Sequence, residues 1–82
     1  MTIRYPCPCC NYLTYEDIPP QGEYEICPVC YWEDDPVQSK DQDYTGGANE
    51  VSLNQAKKNF FKYGAISESL KKYTRLPKKN EK

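Results

Sequence analysis

The chain has no histidine, and it offers neither a nucleophile-elbow pattern nor a glycine-rich loop of the kind that cradles phosphates. General acid or base work near neutrality therefore lacks its usual side chain, and we expect no enzyme here. No stretch approaches the roughly 20 consecutive apolar residues that a membrane-spanning helix needs, so no membrane partner is expected. The opening Met1-Thr2-Ile3-Arg4-Tyr5 has no apolar signal segment, which predicts a soluble cytoplasmic protein with reduced thiols rather than a disulfide scaffold. Length is also in short supply. A chain of 82 residues has room for one domain, and hydrophobic cores of this size supply only about 3–5 kcal/mol, so a staple is required.

What is present answers that need. Two Cys-x-x-Cys pairs, Cys7/Cys10 and Cys27/Cys30, stand in Pro6-Cys7-Pro8-Cys9-Cys10-Asn11-Tyr12 and Cys27-Pro28-Val29-Cys30-Tyr31-Trp32. A thiolate pair at this spacing wraps one tight turn around a metal, and two pairs complete a tetrahedron of sulfurs, which makes Zn²⁺ the expected cofactor, with iron in the same cage as the alternative. Asn11 follows the first pair where a left-handed backbone is expected. Cys9 is left over from the four ligands. Its readings are a small side chain packed beside the site, a redox-active thiol, or an alternative ligand.

Strand-favouring residues in Asn11–Tyr15 and polar/apolar alternation in Glu23–Ile26 predict two strands joined by the Asp17–Gly22 turn. The expected fold is a small metal-stabilised α+β domain: a zinc-ribbon or rubredoxin-like knuckle hairpin over 5–32, an acidic loop over 33–50, and one or two helices over 52–75. Ser52, Gln55 and Gly64 mark the start and stop of the main helix. Leu53, Ala56, Phe60 and Tyr63 fall on its one apolar stripe, and a second short helix is expected from Ser67 to Tyr73. The basic segment 76–82 is expected to be a disordered tail.

A net charge of −1 conceals opposite halves. Residues 1–50 carry ten acidic and two basic side chains, net −8, and residues 51–82 carry nine basic and two acidic, net +7. The halves either attract each other within the fold, or the acidic one receives a basic partner, or the basic one meets nucleic acid. The favoured functional reading is a non-enzymatic protein-binding module, of the inhibitor or immunity type. Its face would comprise Tyr31, Trp32, Glu33, Asp34, Asp35, Asp41, Asp43 and Tyr44, with a solvated turn capped by Asp35 as the plainer account of the acidic run. The alternatives are a nucleic-acid-binding zinc ribbon that uses the lysine-rich half and a rubredoxin-like or thiol redox protein. Asp41–Gly46 has the oxygen spacing of half a calcium loop, but Ser52 stands where the bidentate Glu belongs, so a rigid turn is expected instead.

Several blocks recur together: Tyr5-Pro6-Cys7-Pro8-Cys9-Cys10, Tyr24–Cys30, Trp32–Pro36, Gly46-Gly47-Ala48-Asn49, and Ser52-Leu53 with Ala56 and Asn59. In this order they resemble the bacterial cysteine-rich CPCC family over about residues 5–65. The resemblance implies a small metal-binding domain and an ordered 33–50 segment. It implies no substrate, partner or reaction.

Overall fold

The computed structural model describes residues 3–82. The chain reverses at each cysteine pair. Strands β1 (Arg4–Tyr5) and β2 (Tyr15–Glu16) pair antiparallel on either side of the first pair, with Arg4 opposite Glu16 and Tyr5 opposite Tyr15. The second pair is closed in the same manner by a single antiparallel bridge, Ile26 to Glu33. Each cysteine pair is thus the turn of its own short hairpin. This corrects the expectation that 11–15 would pair with 23–26. Pro19 and Pro20 have no N–H to give to a ladder, and Asp17 and Tyr24 take left-handed backbone at φ 64° and 62°, which breaks the run at both ends. The alternation of Glu23–Ile26 is real as a pattern but covers no core, since Tyr24 and Ile26 are both exposed.

The acidic segment 33–50 contains a helix that was expected to be loop. Helix α1 (Pro36–Lys40) starts where Asp35 Oδ1 accepts from the N–H groups of Val37 (2.8 Å) and Gln38 (3.1 Å), with Pro36 in the first helical position, where its missing N–H costs nothing. The other oxygen of Asp35 accepts from Ala48 N at 2.9 Å, so one carboxylate caps the helix and ties the end of the loop to it. Burial pushes this carboxyl up, but the three backbone donors, Ala48 first, outweigh it and hold Asp35 below its ordinary range.

Helix α2 (Leu53–Tyr63) has the expected limits: Ser52 Oγ accepts from Gln55 N, and Gly64, at φ 82°, ends it with an N–H to Phe60 O. The reciprocal arm of the capping box is not made, because the Gln55 side chain turns to Asn59. Leu53 and Ala56 are buried, Phe60 and Tyr63 partly so, and Phe61 is 95% exposed. Beyond Gly64, Ile66 packs into the core and its N–H reaches Cys30 O at 2.9 Å. A 3₁₀ segment, Glu68–Tyr73, takes the place of the expected second helix. The core gathers Trp32, Val29, Tyr15, Leu53, Ala56 and Ile66 around the cysteines.

The segment expected to be a disordered tail is folded back instead. Glu81 is only 4% exposed and takes two bonds from Arg75, at 2.7 and 2.9 Å, and one from Lys78 N. Its carbonyl accepts from Leu13 N at 2.7 Å, in the chain leaving the first cysteine pair. The carboxylate bonds and these backbone bonds together hold a lysine-rich stretch against the body. Arg75 first, against the effect of burial, holds the Glu81 carboxyl at about 2, below its ordinary 4.5. A carboxyl depressed on folding stabilises above its unfolded pKa and loses that contribution as pH falls towards the folded one. Glu81→Gln is expected to cost about 1–2 kcal/mol at neutral pH, a value reduced by solvent screening at Arg75. The difference in melting temperature between the two proteins should be flat down to about pH 5 and narrow below it. A difference that is constant into acid would show that the ion pair does not hold the tail.

Candidate metal centre

The two cysteine turns share one wiring. Cys7 N donates to Tyr12 O and Asn11 N to Cys7 O, both at 2.9 Å; at the same offsets Cys27 N donates to Trp32 O at 2.9 Å and Tyr31 N to Cys27 O at 2.8 Å. The residue after each second cysteine is left-handed, with Asn11 at φ 65° and Tyr31 at φ 72°. Asn tolerates that backbone, whereas a bulky aromatic does so at a cost. At Tyr31 the ring stacks on Tyr73, with centroids 5.4 Å apart, which offsets part of it.

These turns bring four sulfurs to one point. Cys7 and Cys30 Sγ lie 3.6 Å apart, Cys10 and Cys27 Sγ 3.8 Å, and all four atoms fall within 4.8 Å of one another. A tetrahedron with Zn–S bonds of about 2.3 Å has edges of about 3.8 Å, and a disulfide would need about 2.05 Å. The donor set therefore fits a tetrahedral metal ion, and all five cysteines are free thiols. Cys7, Cys27 and Cys30 are buried and Cys10 partly so. Cys9 is buried in the core beside the cluster but is not one of the four converging sulfurs.

The electrostatics of the sulfurs point the same way. Neighbouring thiols, Cys10 first, with the Thr14 hydroxyl at 3.2 Å, pull the Cys27 thiol far below its ordinary range, while contacts led by Cys10 push Cys7 and Cys30 far above theirs. Sulfurs packed this closely favour one thiolate and resist the next. A divalent cation removes that resistance, because four thiolates around it leave a net charge of only −2. Trp32 N adds a donor to Cys30 Sγ at 3.4 Å.

The residues assigned from sequence to a partner face are not one surface. Trp32 is 0% exposed and belongs to the core around the cysteines; Asp34 and Asp35 are buried; Tyr31 and Glu33 are half-buried. Only Asp41, Asp43 and Tyr44 lie open, and Asp43 already accepts from the Asn54 side chain. Ion pairs among the described residues are Arg4–Glu16 and Arg75–Glu81, each within its own half, so direct salt bridges do not join the opposite halves. Lys57, Lys58, Lys62, Lys71, Lys72, Lys78 and Lys79 are exposed. Sequence reasoning missed Gln38, which is wholly buried and organises the loop. A signal was available, since Asp35-Pro36-Val37-Gln38 has capping-box spacing with proline in first helical position.

No helix among the described residues is long and apolar enough to cross a membrane. No curated protein matches the chain. A family model described as cysteine-rich CPCC matches residues 5–81, which reaches past the helix α2 blocks to include Arg75 and the buried Glu81. Spanned by that match from the strand before the first cysteine turn to the residue that fastens the tail, the chain belongs to the cysteine-rich CPCC family.

Proposed function

We propose that the four-cysteine cluster is a structural zinc centre of zinc-ribbon type, and that the protein is a non-enzymatic binding module built around it. The convergence of Cys7, Cys10, Cys27 and Cys30 Sγ within 4.8 Å carries this reading. Four thiolates saturate a tetrahedral ion and leave no position for water or substrate, and the chain has no histidine to serve as general base. Free thiols in the core suit a reducing compartment such as the cytoplasm. A basic protein is the partner that the exposed Asp41, Asp43 and Tyr44 would favour, as for an inhibitor or immunity-type protein.

Protein purified in reducing buffer without chelator should contain one zinc per chain, with four thiols protected by the metal and buried Cys9 reacting slowly. Visible charge-transfer absorbance with stoichiometric iron would replace the structural reading with a rubredoxin-like redox one. Five freely reactive thiols and no metal would refute both.

A further inference from the structure

Beside the first cysteine turn, with no cysteine in its lining, lies a cleft of about 540 Å³. That is within the range of small-molecule sites, roughly 300–1,000 Å³. Its apolar walls are four proline rings: Pro6 and Pro8 from the cysteine turn, Pro20 from the 17–22 turn, and Pro36 at the start of α1. Proline rings bring no N–H to satisfy and little side-chain freedom to lose on binding. The walls are held together by Gly22, whose backbone is left-handed at φ 81° and approaches Pro36 so closely that an added Cβ would sit 2.6 Å from Pro36 Cβ.

Two charged residues, Asp34 and Lys40, line this space. Asp34 is 2% exposed, yet it borders both this cleft and a smaller pocket across the Pro20–Gln21 segment. Its Oδ2 accepts from Gly22 N at 2.8 Å. Its Oδ1 meets no donor among the described residues, and it is not sealed off either, since the buried side-chain atoms without partners are Trp32 Nε1 and Ser39 Oγ. A nearly buried carboxylate oxygen with no cation and no donor is costly unless something supplies one. Lys40 lines the same cleft but makes no ion pair with Asp34. A nearly buried carboxylate and an exposed lysine thus line one cleft with no ion pair between them.

We propose that this cleft binds a small zwitterionic amine, an amino acid or ω-amino acid, with its ammonium on Asp34 Oδ1, its hydrocarbon part against the proline rings and its carboxylate on Lys40. A ligand with a second positive charge is disfavoured by Lys40, and a simple carboxylate by Asp34. The inference deepens the binding-module reading and shares its need for a folded chain, because Pro6 and Pro8 are positioned by the first cysteine turn.

The experiment is calorimetric titration of the full, metal-characterised chain with three probes of matched length: 4-aminobutanoate, butylammonium and butanoate. We expect 4-aminobutanoate to bind most tightly, butylammonium more weakly and butanoate not at all. Asp34→Asn keeps an acceptor for Gly22 N and removes the charge, and it should weaken amine binding roughly ten- to hundredfold. Should that variant fail to fold, Lys40→Glu, at an exposed position, keeps the idea testable: it should reverse the order of the two amines. Nα-acetyl-lysine amide is the fourth probe, and tighter binding of it than of 4-aminobutanoate would overturn the small-molecule assignment in favour of a partner's lysine. The site does not exist if a folded chain ignores all amines or if Lys40→Glu leaves their order unchanged. A folded chain without zinc that still binds 4-aminobutanoate would refute the zinc reading and support the cleft.

Discussion

Exchange of any one of Cys7, Cys10, Cys27 or Cys30 for serine, or removal of the metal by a chelator, is expected to unfold the whole chain, whereas Cys9→Ala should leave it folded and metal-loaded. Binding of structural zinc to four thiolates contributes about 10–16 kcal/mol of apparent free energy, against the roughly 3–5 kcal/mol that a core of this size supplies. Three of the four cysteines are themselves core residues, packed with Trp32, Leu53, Ala56 and Ile66. The damage cannot stay local, because the C-terminal half hangs on the second cysteine turn: Ile66 N donates to Cys30 O and Arg75 N to Pro28 O. Cys9 contributes only the burial of a small side chain, so its truncation should cost about 1 kcal/mol. Far-ultraviolet circular dichroism with metal analysis on each variant checks this, and Trp32, fully buried in the folded protein, gives a fluorescence signal for the same event. An unchanged spectrum after complete metal removal would sink the claim that metal and fold are one equilibrium.

Gln38→Leu should be strongly destabilising although it lies outside the sulfur cluster. The Gln38 side chain is 0% exposed and makes five hydrogen bonds. Its amide nitrogen donates to the carbonyls of Tyr44 (3.1 Å), Asn49 (3.4 Å) and Val51 (3.0 Å), and its oxygen accepts from Asn49 N (3.1 Å) and Asn49 Nδ2 (2.9 Å). Asn49 passes the connection on to both backbone groups of Glu33 at 2.8 Å. Leucine has nearly the same volume, so the change isolates the polar contribution. Each buried group left unpaired costs about 1–3 kcal/mol, and although such costs are not additive within a network, a total of about 3–5 kcal/mol is expected. Room for a compensating shift is small, since Gly47 is already so close that an added Cβ would lie 2.6 Å from both Asp35 Oδ2 and Gln38 Cδ. We expect the metal of the proposed centre to remain bound while residues 41–51 lose amide-exchange protection and the melting temperature falls by about 15 °C or more. A loss of only a few degrees would mean that the loop is held by its backbone turns and not by this amide.

Parts of the molecule were legible in one dimension because their determinants are neighbours in the chain. The converging cysteine set follows from the spacing of each pair, since the geometry of a single turn carries both thiols to one side. Helix α2 follows from Ser52, the apolar stripe and Gly64, all inside one periodic stretch. Asp35 as a cap and Asn11 as a left-handed residue are likewise local facts.

What the tertiary structure alone decided is which distant groups meet. Strand pairing around each cysteine turn could not be read from alternation, because strands of two residues carry too little pattern to compete with Glu23–Ile26. Burial of charge was equally out of reach: Asp34 is buried with its carboxylate accepting from Gly22 N, and Glu81 with its carboxylate on Arg75 and its carbonyl on Leu13 N. A run such as Trp32–Asp35 reads as an exposed acidic face until the partners of its carboxylates are known, and a lysine-rich tail reads as disordered until its one glutamate finds an arginine. The sequence by itself determined the four-cysteine set and the main helix, whose causes lie within a few residues. The loop network, the docked tail and the proline-walled cleft depended on three-dimensional closure, because a polar side chain becomes a structural element only when the chain returns to satisfy it.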